Sequence, residues 1–370
     1  MQTTKYLNIL LIWSLFFVTF IAVPTAFALQ VEGLYQHRVL VTSDSDAERN
    51  RAFREALRAV IVKVAGEYRW LDHPDIEAAL ANPERYIESI SYSTDSVNRS
   101  LLGQVNNELS RVETRYIEVS FANSLIDELL AESSIPVWGS NRPSILVWMV
   151  LQNSLGERTM LTPDINPEII EYMQGFAEER GIPIIFPVFD FEDRKNLSED
   201  EIWTLVEEEI IKASERYGAD SILSGRLHYT AGGDLVGLWQ FLFQDEVLIF
   251  DGFEDNLESY LYLPLDRVVS QLARYFGIVP DAGIEETVKL RIEGVSDLKT
   301  YSALINYISG LGLVRNVKNS FLDGERLEIE LGLVGNSSQL FEIITLDRDL
   351  MPIGGGQVDD LGILHYRWTR

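Results

Sequence analysis

The sequence predicts a multi-domain protein that mixes α/β and α+β units. They are an N-terminal α+β unit over residues 29–136, a middle mixed-sheet α/β domain over 141–277 and a C-terminal ferredoxin-like domain over 285–370. Three observations carry this. Helix-period and strand-period apolar patterns alternate along the chain. The last third follows the order β-α-β-β-α-β. The length of 370 residues exceeds what one core ordinarily spans.

The first unit opens with a strand at "LYQHRVLV". A helix follows, because Phe53, Ala56, Leu57, Val60, Ile61 and Val64 recur at three- and four-residue steps. Ser45 or Asp46 is its expected cap, and Gly66 suits the position just past its end. "HPDIEAALAN" reads as a short helix with Pro74 in its first turn. "YIESISYST" and "ETRYIEVSF" alternate as strands, and "ANSLIDELLAES" closes the unit as a helix.

In the middle unit "PSILVWMVL" is an apolar strand and "PEIIEYMQGFAEERG" a helix ending at Gly181. "IPIIFPVFDF" reads as the next strand. Ser198 and Glu201 form a capping box, from which one helix is expected to run to Gly218 with Ile202, Leu205, Val206, Ile210, Ala213 and Tyr217 on one face. Three strands then follow, "ADSILSGRLHY", "DLVGLWQFLF" and "EVLIFDGF", joined by short turns. A helix through "LDRVVSQLARYFG" completes a mixed sheet covered by helices. In the last unit Ser296 stands where the first helix begins, Asp323-Gly324 fits the central hairpin turn, and Gly354 to Gly356 interrupt the final strands.

The N-terminus carries an export pattern. Lys5 precedes an apolar run from Tyr6 to Val23, Pro24 breaks it, and Ala26-Phe27-Ala28 supplies the small-x-small cleavage pattern. Cleavage is expected between Ala28 and Leu29, which makes the protein periplasmic. The alternative is an inner-membrane anchor retained at residues 6–23, close to the ~20 residues that span a bilayer. There is no cysteine, so disulfides, thiolate metal sites and cysteine nucleophiles are excluded. The formal charge of −26 makes nucleic acid and anionic lipid poor partners. The acidic residues are spread along the chain, so they serve a solvated surface or, on the sharper reading, a basic protein partner.

The blocks "ERNRAFREALRAVIVKVAG", "RPSILVWMVL", "PIIFPVFDFED" and "IWTLVEEEIIKASERYGADSILSGRL", with Trp239 beyond, resemble the DUF2066 family of uncharacterised exported proteins of Gram-negative bacteria. The resemblance covers roughly Tyr35 to Phe250, and its most specific block is Ala213 to Leu227. Val62-Lys63-Val64-Ala65-Gly66 departs from the family's more usual V-R-(L/V)-(S/T)-G. More loosely, the middle unit is similar to periplasmic α/β domains of the TolB N-terminal, CsgG and penicillin-binding-protein activator types. That similarity implies protein docking without catalysis, and it supplies no catalytic residue.

Reactive motifs are incomplete or missing. His37, His73, His228 and His365 are isolated and show no metal-ligand spacing. Ser296-Asp297-Leu298-Lys299 matches S-x-x-K without its companion motifs, so a helix cap is the better reading. No phosphate loop is present, and Gly354 to Gly356 lack a following helix. Trp138, Trp148 and Trp239 lie in apolar runs, whereas Trp203 is expected to be the exposed one. The sharpest candidate is the acidic run Asp190, Glu192 and Asp193 just past Phe189, where open α/β sheets bind ligands. Metal binding or sugar hydrolysis there requires further groups to converge. Neutralisation by Arg194 and Lys195 is simpler.

The function expected is a non-enzymatic interaction or scaffold protein of the Gram-negative envelope. It uses no cofactor and docks an envelope protein through Asp190, Glu192, Asp193 and Trp203. The alternative is a glycan- or metal-dependent ligand binder or hydrolase using the same carboxylates. Mass spectrometry of the exported protein is expected to find Leu29 as its first residue; a species retaining residues 6–23 identifies the anchored form instead.

Overall fold

The computed structural model describes residues 31–98, 111–230, 232–279, 286–347, 349–354 and 362–369. The expected leader, the alternative anchor at residues 6–23, the expected Ala28–Leu29 cleavage site, Gly355 and Gly356 lie outside the described residues. The described chain builds three sheets flanked by helices, an α/β and α+β architecture.

The first sheet holds β1 (Gln36–Val41), β2 (Ile87–Asn98) and β3 (Arg111–Phe121) in the antiparallel order β1-β3-β2. Helix α1 (Asp46–Ala65) packs on it through Phe53, Leu57, Val60, Ile61 and Val64, all buried. Ser45 caps α1, accepting from the amide of Glu48 at 3.3 Å. Gly66 ends it at φ 79°, a left-handed conformation natural to glycine. Helices α2 (Pro74–Ala81) and α3 (Asn123–Glu132) complete the unit.

The middle sheet contains β4 (Ile145–Gln152), β5 (Arg158–Met160), β6 (Ile184–Ile185), β7 (Ser221–Tyr229), β8 (Leu235–Phe243) and β9 (Glu246–Glu254). Its order is β5-β4-β7-β8-β9, with β6 also pairing β4. The β4–β7 pair is parallel, and β7–β8–β9 is an antiparallel meander. Strand β4 is buried on both faces, which explains its unbroken apolar run. Ile145, Val147 and Met149 face the cluster of α4 (Pro167–Arg180) and α8 (Leu257–Phe276). Leu146, Trp148 and Val150 face α6 (Glu199–Thr204) and α7 (Glu207–Ser214).

Two expectations in this unit are corrected. The strand expected over "IPIIFPVFDF" is only Ile184–Ile185. Pro183 and Pro187 lack amide donors for a ladder, and Phe189 takes φ 51°. A short helix, α5 (Phe191–Asn196), carries the acidic run instead. The helix starting at the capping box is also broken. Leu205 adopts φ 56°, its amide donates to Ile202 O at 3.0 Å, and the Val206 amide donates to Glu201 O at 3.0 Å. This is a Schellman stop built on leucine. The Trp203 carbonyl it frees accepts from Arg226 Nη1 at 2.7 Å.

In the last unit β10 (Glu286–Glu293), α9 (Leu298–Gly310), β11 (Val314–Asp323), β12 (Arg326–Leu333), α10 (Ser337–Asp347), β13 (Leu350–Pro352) and β14 (Ile363–Trp368) form a sheet ordered β11-β12-β10-β14-β13. The ferredoxin-like succession is present with one addition. Strand β13 forms an antiparallel hairpin with β14, so β14 runs parallel to β10. The cap of α9 is Asp297, which accepts from the Thr300 amide at 2.7 Å; Ser296 lies one residue ahead of it.

The first two units meet at a pair of buried arginines. Helices α1 and α4 both end on left-handed glycines, Gly66 and Gly181, and their terminal carbonyls converge. Arg142 occupies the convergence point with every donor it has. Nη1 donates to the carbonyls of Arg180 and Gly181 at 2.8 and 3.0 Å. Nη2 donates to Lys63 and Trp138 at 2.6 and 2.8 Å, and Nε to Gly139 at 2.9 Å. Arg180, fully buried, donates to Gly66 O at 2.5 Å and to Asp266 of α8. Burial and the charge of Arg180 bring the Arg142 pKa down to about 9, which leaves it charged at neutral pH. The partial negative charge of two helix C-termini faces these cations.

Replacing Arg142 with methionine orphans five carbonyls at once. Arg142→Met is expected to destabilise the protein by about 3–5 kcal/mol, the scale for breaking a buried charged network. Arg142→Lys is expected to recover less than half of that, because an ammonium lacks the planar fork. Chemical denaturation of the three proteins checks both; full rescue by lysine refutes the latch geometry.

Candidate functional site

The acidic run past β6 resolves into one structural cluster. Asp190 is the N-cap of α5, and its Oδ1 accepts from the amides of Glu192 and Asp193 at 3.0 and 3.1 Å. Arg216, just after α7, grips the same carboxylate with both arms: Nη1 to Oδ1 at 2.8 Å and Nη2 to Oδ2 at 3.0 Å. Its Nη1 also donates to Asp193 Oδ1 at 2.9 Å. Tyr217 donates its hydroxyl proton to Asp193 Oδ2 at 2.5 Å and accepts from the Val188 amide at 3.1 Å. The bonds from Arg216 and the Asp193 amide hold the Asp190 carboxyl well below the usual carboxylate range. Burial and the bond to Asp193 push the Tyr217 phenol up.

Asp190 and Asp193 are thus brought together, and Asp193 is buried. Glu192 points outward, 3.8 Å from Arg216. The cations that neutralise the cluster are not Arg194 and Lys195: the guanidinium of Arg194 lies over the Phe189 ring, 5.7 Å from its centroid. Two apolar side chains reach solvent beside the charged Glu192, Arg194 and Lys195: Val188 at 61% and Phe191 at 79% exposure.

Trp203 is not an open platform. It is half-buried, with Arg158 4.2 Å and Arg226 5.6 Å from its ring. His228 lies at 6.2 Å. Arg158 also pairs with Asp200 at the rim of a shallow depression of about 630 Å³ that includes Phe189 and Arg194.

A larger cleft of about 1100 Å³ opens where the first unit meets α4, lined in part by His37, Arg58, Lys63, Glu118 and Glu179. Its lining mixes both signs. Lys63, its most buried cation, donates to the carbonyls of Gly33 and Gln36 at 3.3 and 3.1 Å, and burial lowers its pKa. Among the described residues, no group of three or more histidines and carboxylates is placed to hold a metal ion. Among them also, no helix is long and apolar enough to cross a membrane.

Sequence reasoning missed Arg216 and Tyr217, although both lie in the Ala213–Leu227 block that carries the most specific resemblance. Two other polar residues of the block are structural as well. Ser214 accepts from Trp148 Nε1 at 2.9 Å, and Asp220 Oδ2 accepts from the Ser144 amide and hydroxyl, both at 2.8 Å. The signal available was the pairing of an S-E-R-Y-G turn with an acidic run upstream. Neither half is informative alone.

The family model of a domain of unknown function, DUF8605, matches residues 28–139. This is the first unit alone, and it does not bear on the resemblance to DUF2066. No curated protein matches the chain. Among solved structures, the lipoprotein GNA1162 from Neisseria meningitidis is 16% identical with a TM-score of 0.22, covering 35% of this chain and 96% of that one. A crystal structure of an uncharacterized protein is 9% identical with a TM-score of 0.15, covering 36% of this chain and 89% of that one. Scores this low transfer neither fold nor role.

A carboxyl held low in the folded state stabilises the fold above its unfolded value of about 4 and loses that contribution as the pH falls. The melting-temperature gap between wild type and Asp190→Asn is therefore expected to stay level from about pH 5 to 8 and to close below about pH 4. A gap that widens in acid refutes the Arg216 clamp.

Proposed function

We propose that this is an exported, periplasmic, non-enzymatic interaction protein of the Gram-negative envelope, and that the segment after β6 docks a protein partner. One observation carries the reading. Arg216 and Tyr217 brace Asp190 and Asp193, and the braced turn presents Val188 and Phe191 to solvent. A rigid turn offering a large aromatic side chain supplies an anchor at little entropic cost. Two of the three carboxylates that a hydrolase or a metal site would use, Asp190 and Asp193, already have arginine, tyrosine and amide partners. Periplasmic placement rests on the leader pattern ending at Ala28.

A photoreactive residue placed at position 191 is expected to crosslink a discrete envelope protein in intact cells. Val188→Ala is expected to weaken that crosslink, and Glu192→Gln to leave it unchanged. Loss of cellular phenotype in Glu192→Gln with normal folding and no crosslink at position 191 favours an enzyme instead.

A further inference from the structure

The middle sheet ends in an open strand. β9 has β8 on one side and, among the described residues, no strand on the other. Its nine residues pair with β8 in unbroken register from Phe243↔Glu246 to Leu235↔Glu254. No proline or lysine interrupts it, although sheet edges are commonly blunted by both.

The two-residue turn Gln244–Asp245 makes Phe243 and Glu246 the first hydrogen-bonded pair of the ladder. Alternation then turns the N–H and C=O groups of Val247, Ile249, Asp251 and Phe253 away from β8, toward the open edge. The same four side chains share one face. Val247 is 43%, Ile249 56% and Phe253 66% exposed, whereas Phe250 on the opposite face is buried against the core. The strip is therefore apolar, its outward backbone groups have no strand partner among the described residues, and a carboxylate, Asp251, stands near its middle.

Charge selects the occupant. Asp245, Glu246, Asp251, Glu254 and Asp255 lie along or beside the strip, and the stretch from Gln244 to Asp255 has no lysine or arginine. Edge-to-edge pairing with a second copy sets these carboxylates against their like, in a chain whose formal charge is already −26. A basic strand meets no such repulsion.

We propose that β9 accepts an added β-strand from a protein partner, an extended segment that alternates apolar and basic residues. Its apolar side chains cover Val247, Ile249 and Phe253, a lysine or arginine faces Asp251, and its backbone completes the ladder. This surface is separate from the Phe191 turn, and its occupancy does not depend on docking there.

The probe is a nine-residue peptide of alternating lysine and isoleucine, titrated against the full exported chain. Three comparison peptides carry glutamate for lysine, N-methyl groups on alternate amides, or the same residues in shuffled order. The lysine–isoleucine peptide is expected to bind and to slow hydrogen exchange at the amides of Val247, Ile249, Asp251 and Phe253. The glutamate and N-methylated peptides are expected to bind at least about tenfold more weakly. Asp251→Lys, an exposed change whose folding circular dichroism verifies, is expected to weaken the lysine peptide by a similar factor. Phe191→Ala is expected to leave the peptide's affinity unchanged. Equal binding of the N-methylated or shuffled peptide, or exchange protection spread over other acidic surfaces, overturns the proposal by showing plain charge attraction. A dimer in sedimentation that Asp251→Lys disrupts overturns it in favour of a second copy.

Discussion

Two guanidinium groups buried between helix ends hold the first two units of this protein together. Arg142 and Arg180 sit where the C-termini of α1 and α4 meet, and their charge is answered by backbone carbonyls and by Asp266. The geometry depends on glycine at both helix ends. A Cβ at Gly66 meets the Ala273 Cβ at 2.3 Å, and one at Gly181 meets Lys63 Cγ at 2.9 Å. With those turns in place, Glu67–Arg274 and Tyr68–Glu179 add contacts at 2.9 and 2.8 Å around the rim. The cleft beside them is a consequence of this junction, and its lysine belongs to the same support.

The acidic turn past β6 illustrates how one arrangement of charges serves structure while its neighbours face solvent. An N-cap needs an acceptor, and Asp190 supplies it. A carboxylate in that role beside a second one needs a cation, and Arg216 reaches both. Once these demands are met, the carboxylates have little capacity left for a ligand. What projects is Phe191, a residue with no local reason to be exposed. The open edge at β9 follows from topology in a similar way. A meander appended to a parallel pair must end on a strand with one free side.

Most elements were legible in the chain. The face of α1, the capping box at Ser198 and Glu201, the two-sided burial of β4 and the hairpin near Gly324 all follow from period, caps and turn residues that act within a few positions. The errors share a cause. The spacing of Leu205 fits a helical face, and spacing says nothing about the carbonyl of Trp203 that Arg226 takes up. Ser296 suits a cap by residue type, but the helix begins one residue later and Asp297 takes the role. Around β6, Pro183 and Pro187 remove ladder donors and hold the strand to two residues, against the apolar run that extends past it.

Residue patterns along the chain were enough to place most helices and strands, and composition was enough to show an apolar interior without disulfides and a strongly acidic surface. These properties depend on neighbours a few residues apart and on composition. Only tertiary contacts set which distant charges meet. Arg216 reaches Asp190 only because β4 and β7 pair in the register Ile145↔Ser221, which brings the turn before β7 against the turn after β6. The junction at Arg142, the reversal at β13 and the free side of β9 likewise arise from contacts between distant segments. No local pattern encodes them, because the energy of such contacts exists only once both partners are in place.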